Sequence, residues 1–119
     1  MSIGSLLTEL VAKIDGATGA ILLEADGEAV QCYPENGSER LRLRGAYIAV
    51  VVKSCRGTAI RMNPSDLVCV TLKYAGSSFV AREINHDCLV VVEMGPSANT
   101  AQAVFALKST AERLRIEID

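Results

Sequence analysis

Residues 19–28 read GAILLEADGE and contain the most decisive local pattern of the sequence. Two segments, Gly19–Ala25 and Glu28–Tyr33, have the length and composition of β-strands. The Asp26-Gly27 pair between them readily adopts the positive backbone angles of a type I′ turn. The pattern therefore predicts a β-hairpin.

The first strand of this hairpin has no polar side. Its alternating side chains, Ala20 and Leu22 on one face and Ile21 and Leu23 on the other, are all apolar. Successive side chains of a strand point to opposite faces of a sheet. We therefore expect a covering layer on each side of the sheet.

The residues before the hairpin predict an amphipathic helix that ends at Asp15-Gly16. Glu9 and Lys13 interrupt its apolar stretch and no basic lead precedes it, so the segment does not resemble a signal peptide. No segment is apolar for long enough to cross a membrane, and we expect a cytoplasmic protein. The apolar stripe of this helix consists of Ile3, Leu6, Leu7, Leu10, Val11 and Ile14.

The segment from Glu39 to about Met62 allows two interpretations. Tyr47 to Val52 is rich in β-branched residues, which favour strands. Helical spacing explains more of the segment, and it predicts a helix with two apolar stripes on different faces. The first stripe is Ile48, Val51, Val52 and Cys55, and the second is Leu43, Ala46, Tyr47 and Val50.

A helix that lies on a sheet needs only one apolar stripe, so the second stripe has to be covered in another way. A second copy of the chain would cover it. A flanking loop or helix of the same chain is the alternative.

Residues 63–66 read NPSD and break the pattern, and three predicted strands follow: Leu67–Tyr74, Phe79–Ile84 and Cys88–Met94. Their short connections predict an antiparallel meander. A last helix follows Gly95-Pro96-Ser97. Its predicted inward face consists of Ala101, Val104, Phe105, Leu107, Lys108, Ala111, Leu114 and Ile118.

The chain has 119 residues, which suits one domain, and we expect residues 1–119 to form a single α/β (α+β) domain. The predicted element order is α-β-β-α-β-β-β-α. Twelve basic and fourteen acidic residues give a net charge of −2, so no broad positive field would attract nucleic acid.

The sequence offers no nucleotide, metal or catalytic site that we can identify. The glycine-containing segment at residues 16–19 has no phosphate-binding lysine and precedes a strand instead of a helix. His86 lies in a predicted turn, where an exposed side chain is far more common than a general base. One histidine is too few to complete a zinc site with the cysteines Cys32, Cys55, Cys69 and Cys88, which form no Cys-x-x-Cys pair. We expect no enzyme activity, no cofactor and no metal.

The order of elements and the local sequence resemble the roadblock/LC7 family over nearly the whole chain. The resemblance rests on residues 19–28, on CLVVV at residues 88–92, and on Asn99-Thr100 opening a final helix that runs through residues 111–114. It implies a five-stranded antiparallel sheet, with the middle helix on one face and the terminal helices on the other. It also implies that two copies join through their middle helices and continue the sheet through the third strand.

The resemblance further implies a function. Bacterial and archaeal members of this family are partners of small Ras-like GTPases, and some activate them. Eukaryotic members are dynein light chains or parts of GTPase-controlling scaffolds. Our leading hypothesis is a homodimeric adaptor or regulator of such a GTPase. The expected dimer interface comprises Leu43, Ala46, Tyr47, Val50, Leu67, Cys69 and Thr71.

Two alternative functions are compatible with the sequence. One is a scaffold subunit of a motor or signalling assembly with no effect on nucleotide turnover. The other is a small-molecule sensor, which requires a closed apolar pocket. The basic residues of the middle helix form either a solvated face or a docking surface for an acidic partner. The docking candidates are Arg40, Arg42, Lys53 and Arg56, and Arg44 belongs to the same basic set.

Overall fold

A computed structural model of the chain describes residues 2–62 and 67–118. The predicted break at residues 63–66 lies outside the described residues. The elements are α1 (Ile3–Lys13), β1 (Ala17–Glu24), β2 (Ala29–Tyr33), α2 (Glu39–Met62), β3 (Val70–Tyr74), β4 (Ser77–Glu83), β5 (Cys88–Met94) and α3 (Thr100–Ile118). The predicted fold class and element order are confirmed, and the middle segment is a helix.

The five strands form one antiparallel sheet in the order β2-β1-β5-β4-β3. β1 and β5 lie at its centre, and β2 and β3 are its edges. None of the described helices is long and apolar enough to span a membrane.

Each face of the sheet has its own apolar core, as the two-sided apolar strand predicted. Ala20 and Leu22 of β1 pack with α1 and α3 on one face. Ile21 and Leu23 pack with α2 on the other face. All four side chains are at most 1% exposed.

The loop of the first hairpin differs from the predicted type I′ turn. That turn requires positive φ at both central residues, and only Gly27 has it, at 94°. The Gly27 N–H donates to the Glu24 carbonyl at 2.9 Å, and the Glu24 N–H donates to the Glu28 carbonyl at 2.8 Å. The loop therefore has three residues and ends in a left-handed glycine, which is typical of a bulged hairpin.

The strands of the meander begin and end at slightly different residues than predicted. β3 begins at Val70 instead of Leu67, and β4 runs from Ser77 to Glu83 instead of from Phe79 to Ile84. β4 begins earlier because Ser77 pairs with Tyr74, which leaves only Ala75 and Gly76 in the turn.

The inward face of α3 was predicted incorrectly in part. Ala101, Phe105 and Lys108 are exposed, and Phe105 is 81% exposed. The helix approaches the sheet through small side chains, which leaves the bulky Phe105 outside. The buried residues are Ala103, Ala106, Leu107, Thr110, Ala111 and Leu114.

Candidate protein-interaction surface

The outer face of α2 presents three large apolar side chains. Leu43 is 55% exposed, Tyr47 63% and Val50 68%. On the opposite side of the same helix, Ile48 and Val52 are 4% and 3% exposed. The helix therefore has one apolar side on the sheet and a second one facing away from it.

α2 lies close to the sheet because of a glycine that the sequence pattern did not single out. A Cβ atom at Gly45 would lie 3.2 Å from the Cδ1 atoms of Ile21 and Leu23. Ala49, also small, is buried beside it. Val51 and Cys55, which were expected to face the sheet, are only partly buried.

Ala46 differs from the other members of its stripe because the hairpin loop reaches it. A Cβ atom at Gly27 would lie 3.4 Å from the Ala46 Cα, and Ala46 is partly buried. A flanking loop, the alternative to a second copy, therefore covers Ala46 of this stripe. It does not cover Leu43, Tyr47 and Val50, which are exposed.

β3 adds a second uncovered element at the edge of the sheet, where its neighbour within the sheet is β4. Leu72 pairs with Phe79, whose side chain lies in the core beneath α2, so Leu72 points to the α2 side of the sheet. Tyr74 stacks on Phe79 with ring centroids 6.3 Å apart. Leu72 and Tyr74 are 38% and 46% exposed.

Sequence reasoning missed Leu72 and Tyr74 because it chose the other alternating set of the strand. Of that set, Leu67 and Cys69 precede β3 and are partly buried. Thr71 is exposed and pairs with Val80, so it points to the α1/α3 side of the sheet.

Two arginines of α2 form ion pairs with the sheet. The Arg44 guanidinium donates to the Glu93 carboxylate at 2.6 Å. This hydrogen bond, with a smaller contribution from Tyr74, raises the pKa of Arg44. Arg56 donates to both carboxylate oxygens of Glu83.

The other basic residues of α2 that were predicted to dock a partner are exposed. Arg40, Arg42 and Lys53 form no ion pair with any residue in the ranges 2–62 and 67–118. They lie on the same helix as the exposed apolar face.

Two surface clefts flank α2. One, of about 350 Å³, lies at the start of the helix and is lined by Arg40, Arg44 and Glu93 among others. The other, of about 270 Å³, has Asp26 and Lys53 in its wall. Both have charged walls, unlike the closed apolar pocket that a small-molecule sensor requires.

Acidic residues of the first hairpin and His86 lie in the loops between β1 and β2 and between β4 and β5. The carboxylates of Glu24, Asp26 and Glu28 lie within 4.8 Å of one another and are exposed. Asp26 accepts a hydrogen bond from the Glu28 N–H at 3.0 Å, as expected of a turn residue. His86 is exposed in the turn between β4 and β5.

Comparisons of the whole fold give strong matches to solved structures. A roadblock/LC7 domain from Streptomyces avermitilis has a TM-score of 0.88 at 17% identity, over 99% of this chain and 98% of that one. MglC from Myxococcus xanthus has a TM-score of 0.70 at 24% identity, over 98% and 99%. MglB in a tetrameric arrangement has a TM-score of 0.81 at 16% identity, over 95% and 85%.

The chain has the roadblock/LC7 fold. At the level of sequence, no protein-family model and no curated protein matches it.

Ile60 and Met62, near the C-terminal end of α2, are exposed. On this roadblock/LC7 fold, five further exposed apolar residues of α2 and β3 lie on the same side of the sheet. We call them the α2/β3 surface, and its members are Leu43, Tyr47, Val50, Leu72 and Tyr74. The surface has no covering element among the described residues.

Proposed function

We propose that this chain is a cytoplasmic, non-catalytic, homodimeric adaptor that binds a small Ras-like GTPase and modulates its activity. The observation that supports it best is the exposure of Leu43, Tyr47 and Val50 on a helix whose other side is already packed. Removing apolar surface from water contributes about 25 cal/mol per Å². Covering a few hundred Å² is worth several kcal/mol before the cost of association is subtracted.

The edge strand supports the same proposal. An edge strand presents unpaired backbone N–H and C=O groups that can pair with another chain. Pairing of β3 with β3 of a second copy would continue the sheet and place Leu72 and Tyr74 near the partner's α2. We therefore propose that residues of and before β3 join the interface: Leu67, Cys69, Thr71, Leu72 and Tyr74. The tetrameric arrangement of MglB is a precedent for self-association of this fold.

The GTPase partner follows from the family resemblance, and the charges of α2 are compatible with it. Arg40, Arg42 and Lys53 are exposed cations on the same helix as an apolar surface. Such charges can steer an acidic partner and fix its orientation. Arg56 contributes less net charge to such a surface because Glu83 neutralises it.

Light scattering tests the homodimer. At tens of micromolar the protein should have about twice the monomer mass of 12.7 kDa. Val50→Asp should give a folded monomer, because it places a charge in the interface. Phe105→Asp is the matched control, since Phe105 is 81% exposed on α3, on the other side of the sheet. A monomeric wild-type protein would contradict the homodimer.

A GTP hydrolysis assay tests the regulator. A Ras-like GTPase from the same organism, loaded with GTP, should bind this protein and change its hydrolysis rate. Reversing Arg40 and Arg42 to Glu should weaken binding, whereas Arg115→Glu on α3 should not. Absence of binding, or binding without a change in rate, would contradict the regulator, and either result would leave the scaffold alternative.

A further inference from the structure

The outward face of α2 carries different types of side chain on the N-terminal and the C-terminal side of Val50. With about 3.6 residues per turn, positions 4, 7 and 11 residues from Val50 share its face of the helix. Towards the N-terminus these positions hold Ala46, Leu43 and Glu39. Towards the C-terminus they are occupied by Ser54, Gly57 and Arg61.

The two halves of this face are complementary. Leu43 is large, whereas a Cβ atom at Gly57 would meet nothing within 4 Å in the chain itself. Glu39 is acidic in the first turn, and Arg61 is basic in the last turn. Within residues 2–62 and 67–118 neither of these two charges has an ion-pair partner.

We propose that two copies pack their α2 helices antiparallel, with Val50 on the two-fold axis. In this arrangement Leu43 of each copy lies over Gly57 of the other, and Glu39 pairs with Arg61 of the other. The inference rests on the proposed homodimer and adds its register and the residues that specify it.

Other arrangements bring less favourable groups together. Parallel helices in register would oppose Leu43 to itself and Glu39 to itself. An antiparallel register centred between Ala46 and Tyr47 would place Arg40 of one copy opposite Lys53 of the other. Like charges that face each other destabilise a helix pair. The register centred on Val50 avoids both conflicts.

A charge reversal tests the register. Glu39→Lys or Arg61→Glu alone should raise the dimer dissociation constant about tenfold, because each creates two like-charge contacts per dimer. The variant with both changes should restore the wild-type dissociation constant. The two positions are about 33 Å apart along one helix, so restoration can arise only between copies. The helix dipole cannot explain such a restoration. A basic residue 39 and an acidic residue 61 are each unfavourable to the dipole, so the double variant would destabilise the helix more than either single variant.

Two further variants check the register independently of charge. Val50→Cys should form an intersubunit disulfide under mild oxidation, because residues on the two-fold axis face each other. Gly57→Cys is the control and should form none. Gly57→Leu should leave the subunit folded and weaken the dimer, since it fills the space that Leu43 of the other copy needs.

The outcomes separate this inference from the homodimer itself. A wild-type dimer with no rescue in the double charge variant and no disulfide in Val50→Cys would overturn the register alone. A wild-type monomer would overturn both.

Discussion

The Arg56 guanidinium and the Glu83 carboxylate form a two-point ion pair between α2 and the end of β4. The last fully buried residue of α2 is Val52, and beyond it this ion pair connects the C-terminal part of the helix to the sheet. The pair is partly exposed, with side-chain accessibilities of 34% and 17%. It should therefore control local order more than global stability.

We expect Glu83→Gln to increase amide hydrogen exchange in residues 53–62. The neutral amide loses the charge that holds Arg56, and the helix end can open more often. The free energy of unfolding should change by less than about 1 kcal/mol. Glu112→Gln, an exposed change on α3, is the control. Unchanged exchange in residues 53–62 would mean that the ion pair does not hold the helix end.

A larger side chain at Gly45 should destabilise the fold. Its Cβ position is already tight against Ile21 and Leu23, and overpacking typically costs about 1–3 kcal/mol. Denaturant unfolding of Gly45→Leu measures this loss. Gly45→Leu should be compared with the unchanged residue in the Val50→Asp background, where we expect no dimer to contribute to the free energy of unfolding.

In that background Gly57→Leu is the control for Gly45. Leucine is a better helix former than glycine, and position 57 has open space around it. Gly57→Leu should therefore leave stability equal or higher. Equal losses at Gly45 and Gly57 would show that the approach of α2 to β1 is not tight.

The contribution of Glu9 to stability should disappear in acid. Its carboxylate accepts hydrogen bonds from Arg113 at 2.8 Å and from Lys13 at 2.9 Å. The Arg113 hydrogen bond, and then that of Lys13, lower the pKa of Glu9 from 4.5 to about 2. A lowered pKa in the folded state stabilises the fold above the unfolded value, and this gain is lost between pH 4.5 and about 2.

Thermal unfolding of wild type and Glu9→Gln checks this expectation. The wild type should have the higher Tm at pH 7, and the difference should shrink as the pH falls from 4.5 towards 2. A Tm difference that is the same at pH 7 and pH 2 would show that ionisation of Glu9 is not its source.

The fold could be predicted from the sequence because its main signals are local and repeated. The apolar run from Ala20 to Leu23 requires cover on both faces, and helical spacing outweighs the β-branched residues between Tyr47 and Val52. The same spacing predicted the second stripe of α2, of which Leu43, Tyr47 and Val50 are exposed.

The details that could not be predicted depend on which of two apolar faces packs. On α3, helical spacing placed Phe105 on the predicted inward face, whereas the structure buries the smaller Ala103 and Ala106 and leaves Phe105 exposed. On β3, the faces of Leu72 and Thr71 depend on the register with β4, which no local sequence pattern indicates. Long-range ion pairs such as that of Arg56 leave no local signal.

The hairpin loop offers a test of how far α2 depends on its neighbours. Gly27 and Gly37 both have positive φ, at 94° and 70°, which a β-branched residue adopts only with strain. Gly27→Val and Gly37→Val should therefore both destabilise the fold. Gly27→Val should cost more, because a Cβ there contacts Ala46 of α2, whereas one at Gly37 meets nothing within 4 Å. Denaturant unfolding of both variants measures the difference, and equal losses would show that the loop does not support α2.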